Sequence, residues 1–234
     1  MTVGYLGLPI SYPFTCETRA GAKIRVAGRT DLVTTWIIYL RHEYTVRPDD
    51  EIILDCGANI GVFALYAAST APRSRIFAIE PFPSTFQELC ENIKLNYLDH
   101  RVTCVSIALS GSDGNVNMYA APHIASQPRQ VIQPSGSDTV SVPALSLSSL
   151  LSQIGVREVD LLKMDIEGSE HPALLHAKPS ILARVKRLSV EYHQTSPTGP
   201  LFDHLKAAGF LLRHDRILGH NYGVAEFTSG APQS

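Results

Sequence analysis

Ile52-Ile53-Leu54-Asp55-Cys56-Gly57-Ala58-Asn59-Ile60-Gly61 is the stretch on which the reading of this chain turns. Three consecutive apolar residues run into an acid and two glycines, the pattern of a buried strand that ends in a tight turn. Val62-Phe63-Ala64-Leu65-Tyr66-Ala67-Ala68 follows and suits a helix packed back on that strand. Glycine has no β-carbon, so such a turn lets a ligand approach the backbone closely. The unpaired N–H groups that open the helix add a partial positive charge at the same place. Strand, turn and helix together read as a pocket for a nucleotide-like ligand.

The glycine spacing narrows the choice. Gly57 and Gly61 form Gly-x-x-x-Gly, whereas a dinucleotide turn takes Gly-x-Gly-x-x-Gly and a phosphate loop continues into Gly-Lys-Ser/Thr. No basic residue stands between Asp55 and Gly61 to meet a polyphosphate. About 20 residues on, a second strand, Arg75-Ile76-Phe77-Ala78-Ile79-Glu80, ends in an acid, where a doubly wound fold binds both ribose hydroxyls. A phosphate-free adenosine with a sulfonium and an amino-acid tail describes S-adenosylmethionine. Glu80 is expected on its ribose, Asp55 on its ammonium side, and the helix start on its carboxylate. The competing readings are a purely structural turn and a nicotinamide dehydrogenase, the latter disfavoured by the missing third glycine.

Composition bounds the rest. A chain of 234 residues fits one α/β domain with elaborations. A net charge of −2 suggests neither a nucleic-acid nor a membrane-surface partner. Cys16, Cys56, Cys90 and Cys104 show no paired spacing, which predicts reduced thiols and a cytoplasmic location. No apolar run approaches the roughly 20 residues that span a bilayer. No positive charge precedes Arg19, so no signal peptide is expected. The oligomeric state is left open.

In chain order, Ala22–Val26 alternates as one strand of a hairpin, and Leu32–Arg41, with Asp31 as N-cap, reads as a short helix ended by Pro48. Tyr44, just beyond it, is placed to stack at the cleft mouth or simply to pack. Pro81-Phe82-Pro83-Ser84 opens a helix to about Tyr97, and Arg101–Leu109 is a third strand. Ser110-Gly111-Ser112-Asp113-Gly114 is a turn expected beside the adenine, followed by a short strand over Asn115–Ala120. Ala121–Asp138 has three prolines and no periodicity, the mark of a lid or a disordered loop. Val140–Leu145 leads into a helix over Ser146–Ile154, and strands follow at Val159–Gly168, with a charged tip, and Arg184–His193. A turn at Ser196–Pro200, a helix over Leu201–Ala208 and strands at Phe210–Leu212 and Gly223–Phe227 complete the chain. This alternation predicts a mostly parallel α/β sheet with helices on both faces and an antiparallel C-terminal strand pair. The expected division is a hairpin-and-helix cap over 1–48, the main domain over 49–228 and a tail over 229–234.

Ligands of an open α/β sheet lie beyond the carboxyl ends of its strands. Glu80, Asp165, Glu167, Glu191 and His193 all stand there, and strand alternation puts Lys163, Asp165 and Glu167 on one side. Such a charged cluster is costly unless paired or used. The alternative is a solvated salt-bridge group with Lys163. Methyl transfer to a hydroxyl needs alignment and removal of one proton, for which His193 or Glu167 is suited. In second place, Asp165, Glu167 and Glu191 could hold a hard divalent ion, although no ligand spacing is diagnostic.

Asp55-Cys-Gly-Ala-Asn-Ile-Gly61, Ala78-Ile-Glu-Pro81, Ala108-Leu-Ser110, Leu162-Lys-Met-Asp-Ile-Glu-Gly-Ser-Glu170 and Val190-Glu-Tyr-His193 occur in this order. Together they resemble the FkbM-type S-adenosylmethionine-dependent methyltransferases over about Asp31 to His193. The resemblance implies a Rossmann-like class I methyltransferase fold and O-methylation of a sugar or secondary metabolite. Carried over, Asp55, Gly57, Asn59, Gly61 and Glu80 bind the cofactor, with Ser110 and Asp165 also against it. Asp165 and Glu167 sit near the transferred methyl, Glu191 and His193 beside the acceptor, and Lys163 among them. One departure is Leu147-Ser148, where the family commonly has Leu-Asp, which keeps a catalytically weak binding module as a competitor. Another acceptor, such as a carboxylate or a peptide, is the remaining alternative.

Overall fold

Ile53 and Leu54 point to opposite faces of one strand, and both have 0% exposure. Strand β3 (Ile52–Cys56) is therefore covered on both sides, as a central parallel strand must be. The structure, a computed structural model, describes residues 11–119, 129–130, 139–193, 198–219 and 222–230. Before β3 come the hairpin β1 (Phe14–Glu17) and β2 (Lys23–Val26) and helix α1 (Arg29–Leu40). After it run α2 (Val62–Thr70), β4 (Arg75–Ile79), α3 (Pro83–Leu95), β5 (Val102–Val105) and β6 (Ala108–Leu109). Then follow β7 (Gly114–Tyr119), β8 (Arg129–Gln130), β9 (Thr139–Leu145), α4 (Leu147–Gln153) and β10 (Val159–Met164). The chain ends with α5 (Glu170–Leu175), α6 (Pro179–Leu182), β11 (Val185–His193), α7 (Thr198–Ala207), β12 (Phe210–Gly219) and β13 (Tyr222–Ser229).

Seven strands form the main sheet in the order β12-β13-β11-β10-β3-β4-β5. β11, β10, β3, β4 and β5 pair in parallel, and β13 joins β11 and β12 antiparallel. The parallel sheet with an antiparallel C-terminal pair is thus the architecture expected from the alternating pattern. One face packs Leu54, Phe77 and Leu162 against Leu147, Leu150 and Leu174. The other packs Ile53, Ile76 and Leu161 against Leu65, Leu89 and Ile93. Among the described residues no helix is long and apolar enough to cross a membrane, and the four cysteines are free thiols.

Several local expectations differ. The strand expected over Arg101–Leu109 breaks after Val105: β5 stays in the main sheet, while β6 crosses into a second, four-stranded sheet ordered β6-β9-β7-β8. Ser106 and Ile107 carry the chain between the sheets, a tertiary choice that a continuous apolar run conceals. Asp31 is not the N-cap. It stands in the first turn of α1 and its Oδ2 accepts from Ala27 N at 2.8 Å and Gly28 N at 2.9 Å, reaching back over Gly28. β12 is ten residues long instead of three, since the run Arg213-His214-Asp215-Arg216 interrupts the apolar signal along this exposed strand. β8 lies inside the expected loop 121–138; the rest of that loop, like the residues 194–197 and 231–234, is outside the described residues.

Two glycines shape the turn after β3. Gly57 has φ 76°, and a β-carbon there would lie 1.7 Å from the Asp165 carbonyl oxygen. Gly61 has φ 91°, and its β-carbon would meet a methyl of Leu89 at 2.7 Å. Asn92 closes the same turn from α3, donating to Ile60 O at 2.9 Å and accepting from Arg25 N at 2.7 Å. The two glycines therefore differ in what they oppose, rigid backbone in one case and a movable side-chain end in the other. Gly61→Ala is expected to lower stability by about 1–3 kcal/mol. Gly57→Ala is expected to lower it by more, and urea denaturation of the two variants ranks them.

Candidate active site

Parallel register sets Lys163 opposite Asp55. Their side chains, 4% and 0% exposed, meet at 3.0 Å between Nζ and Oδ1. Lys163 Nζ also donates to Gly57 O at 2.9 Å and lies 3.9 Å from Asp165 Oδ2. Burial alone would lower its pKa, but Asp55 and Asp165 outweigh that and raise it, so the ammonium stays charged. Asp55 consequently faces Lys163 and does not line the cleft. The carboxylate expected on a ligand ammonium is thus found against a protein ammonium instead.

A cleft opens over the carboxyl ends of β3, β4 and β10. Gly57, Ala58 and Asn59 form its floor, and Glu80 and Pro81 one wall. Glu80 is 5% exposed and both its oxygens are held by backbone: Asn59 N at 3.0 Å on Oε2, Phe82 N at 2.9 Å on Oε1. Burial pushes this carboxyl up to about 7, against the two N–H groups that favour its charge. Each oxygen keeps lone-pair capacity for a hydroxyl donor, which is what a ribose supplies. Ile79, Ile107, Ala108, Leu109, Val116 and Met118 continue this end as an apolar slot wide of the Glu80 carboxylate. The residues fit an adenosine: an apolar slot for a base and a fixed acceptor pair for its sugar.

Asp165, Glu167, Ser169 and Glu191 line the opposite end, beside Lys163. Glu191 is raised to about 8, chiefly by burial and then by the Asp165 charge. His193 stands behind them, with Nδ1 3.4 Å from Glu170 Oε1 and Nε2 3.5 Å from Glu167 Oε2 and 3.7 Å from Glu191 Oε1. Burial would lower this imidazole, yet Glu170, Glu167 and Glu191 together lift it to about 9. A ring raised in this way favours its protonated form, which balances the carboxylates around it. One ligand atom each of Asp165, Glu167 and His193 falls within 4.8 Å of the others, close enough for a cation to bridge. Both imidazole nitrogens are turned to carboxylates, however, so the protonated ring itself supplies positive charge there.

Of the residues expected at the site, Gly57, Asn59, Glu80, Lys163, Asp165, Glu167 and Glu191 line the cleft. Asp55, Gly61, Ser110 and His193 do not. Gly61 serves the packing of α3, and Ser110 donates its N–H to Leu145 O at 2.9 Å, turning the loop away. The turn after it is not at the apolar slot: a β-carbon on Gly111 would strike His176 and the Pro172 carbonyl, and Asp113 accepts from Ser146 N and Ser149. The slot is lined instead by Ile107–Leu109, just before that turn. Ser148, the departure from the family pattern, is exposed on α4 and outside the cleft.

Sequence reasoning missed Glu170, which is 0% exposed and accepts from Ile166 N and Gly168 N at 2.9 Å each. A second acid three residues past Glu167, after a glycine, was the available signal. The segment read as a cap contributes Thr34, Ile37 and Ile38 of α1 to the wall, and Phe63 of α2, to which the sequence reading gave no site role, adds to it.

A model of the Methyltransferase FkbM domain matches residues 55–218. The chain is 27% identical over 211 residues to methyltransferase sdnD of Sordaria araneosa, covering 76% of this chain and 82% of that protein. It is 24% identical over 200 residues to the 31-O-demethyl-FK506 methyltransferase FkbM of Streptomyces tacrolimicus, covering 74% and 76%. The crystal structure of methyltransferase FkbM from Methylobacillus flagellatus superposes with a TM-score of 0.54 at 17% identity, over 82% of this chain and 47% of that one. That likeness concerns the fold, a Rossmann-like class I methyltransferase sheet.

The ion pair at the base of the cleft has a direct consequence. Lys163→Met leaves the Asp55 carboxylate buried and unpaired, and is expected to cost about 3–5 kcal/mol in urea denaturation. Replacing both, with Asp55→Leu added, recovers most of that loss; a double variant as unstable as the single one would show that the pair is not what the site rests on.

Proposed function

The chain belongs to the FkbM methyltransferase family, and from that premise we propose that it transfers a methyl group from S-adenosylmethionine to a hydroxyl of a sugar or secondary metabolite. The observation that carries the reading is the two-ended cleft: a carboxylate fixed by backbone N–H groups at the apolar end, and carboxylates with their own cations at the other. When bound, S-adenosylmethionine supplies an electrophilic methyl on a sulfonium. Glu80 would hold the ribose hydroxyls, and the Gly57–Asn59 turn would meet the amino-acid portion. Two relatives are named for a numbered O-methylation or for a sugar acid, the FK506 methyltransferase and the hexuronic acid methyltransferase of Haloferax volcanii. The first name supports a hydroxyl acceptor, and the second a sugar-type acceptor, a hexuronic acid offering both hydroxyls and a carboxyl group.

Glu191 is the base this geometry favours. As the acceptor oxygen bonds to the methyl carbon, the hydroxyl proton passes to the Glu191 carboxylate, and the C–S bonding pair stays on sulfur. A carboxyl raised to about 8 is a stronger base once ionised than an ordinary one, and is matched to work just above neutrality. His193, already protonated, stabilises the ionised Glu191 rather than competing for the proton. A carboxylate acceptor would bring a further negative charge against Asp165, Glu167 and Glu191, which disfavours that alternative. Ser148 lies away from the cleft, so the weak-module reading loses the feature that prompted it.

Calorimetry with S-adenosylmethionine tests the cofactor end. A hydroxyl donates best to an ionised carboxylate, so affinity is expected to rise with pH through about 7, the Glu80 value. Glu80→Gln should weaken binding by about 10-fold or more and flatten that pH dependence, at 1.4 kcal/mol per decade. Equal binding in the variant at every pH would remove Glu80 from the ribose. For the acceptor end, a mass-shift screen of cell extract for the gain of one methyl identifies the substrate. With it, kcat/KM should climb with pH to a plateau above about 8, because only ionised Glu191 accepts the proton. Glu191→Gln is expected to lose about 100-fold or more in kcat with cofactor affinity nearly intact.

A further inference from the structure

Tyr44 lies outside the residues matched by the family model, in the segment between α1 and β3. It is nevertheless 3% exposed and lines the cleft. Its hydroxyl oxygen is 3.0 Å from Glu191 Oε2 and 3.4 Å from Asp165 Oδ2. A phenol has one proton to donate, and the shorter contact directs it to Glu191. The ring cannot swing away. Phe63 packs edge-on at 5.6 Å between centroids with the planes 78° apart, and Lys163 Nζ stands 5.6 Å from the ring centre. Burial beside Asp165 and Glu191 raises the phenol well above its ordinary value, so it serves as a donor and not as a base.

Resting on the reading of Glu191 as the base, we propose that Tyr44 is a positioning residue: its hydroxyl holds Glu191 toward the acceptor and apart from Asp165. Without that hydroxyl, the carboxylate is free to rotate and one favourable contact to its charged form is lost. The groups facing Glu191 are Glu43 and Tyr44 from the N-terminal segment, Lys163, Asp165 and Glu167 from the β10 side, and His193 on its own strand. Of these, Tyr44 is the neutral donor held at hydrogen-bond distance. An N-terminal segment that looks like a cover in the sequence is thereby part of the reacting end.

Tyr44→Phe removes the hydroxyl and keeps the ring. In the full chain, with S-adenosylmethionine and the acceptor from the screen, kcat is expected to fall by about 10- to 100-fold while the acceptor KM and the cofactor Kd stay within about twofold. Added to Glu191→Gln, the change should cost nothing further, since both variants remove one interaction. An independent reading needs no acceptor: ¹³C-carboxyl-labelled glutamate, with the Glu191 resonance assigned by its loss in Glu191→Gln, is titrated by NMR. Tyr44→Phe should move that midpoint upward by about one pH unit and leave the Glu80 resonance in place. An unmoved Glu191 resonance, or a kcat equal to wild type, overturns the proposal. A wild-type chain that methylates no hydroxyl would instead sink the functional reading, and the NMR titration would still decide whether Tyr44 holds Glu191.

Discussion

Asp55 and Lys163 meet at 3.0 Å between two central parallel strands, with 0% and 4% of their side chains exposed. A pair so thoroughly withdrawn from water contributes little net stability, because desolvation offsets the attraction. What it does enforce is register. A slip of one residue between β3 and β10 would set Asp55 against Leu162 or Met164 and leave two unpaired charges in the sheet. Lys163 then extends the constraint upward by donating to Gly57 O and facing Asp165. The glycine turn and the acid at the tip of β10 are consequently placed relative to each other before any ligand arrives.

From that anchor the cleft acquires two ends of opposite character. Glu80 is buried, but its charge is met by peptide N–H groups, which have nowhere else to go at the start of a turn and a helix. Glu191 is buried among like charges, with an imidazolium, a phenol and, farther off, the Lys163 ammonium as counterparts. Two carboxylates in one cleft thus have different surroundings, and the roles proposed for them, a fixed acceptor of hydrogen bonds and a base, follow from that difference. Glu170 underlies the second end. Held by two backbone N–H groups, it keeps its place beside His193 and helps the ring retain its proton.

Much of this could be seen in the linear chain. Period and punctuation locate β3, β4, β10 and β11, and their acidic tips mark the sheet end where the cleft lies. The glycine spacing and Glu80 point to an adenosine without phosphates, since the backbone and one acid are local features of a strand tip. Other parts were hidden for physical reasons. The strand-like pattern over 101–109 cannot show that the chain changes sheets at Ser106, because both halves read equally as strand. Asp31 has the composition of a cap but its role depends on which backbone N–H groups it reaches. His193 looks like a base until three carboxylates from separate segments are found around it.

The sequence by itself determined the sheet and its helices and pointed to the kind of ligand, because hydrophobic period, turn chemistry and a glycine's missing β-carbon act over neighbouring residues. Only the tertiary structure decided which charged groups face one another. It turned Asp55 inward to Lys163, withdrew His193 behind the wall, and brought Tyr44 across to Glu191, 147 positions away. Charge, burial and proton affinity at each group follow from those encounters, and distances between segments far apart in the chain are set by packing rather than by local pattern.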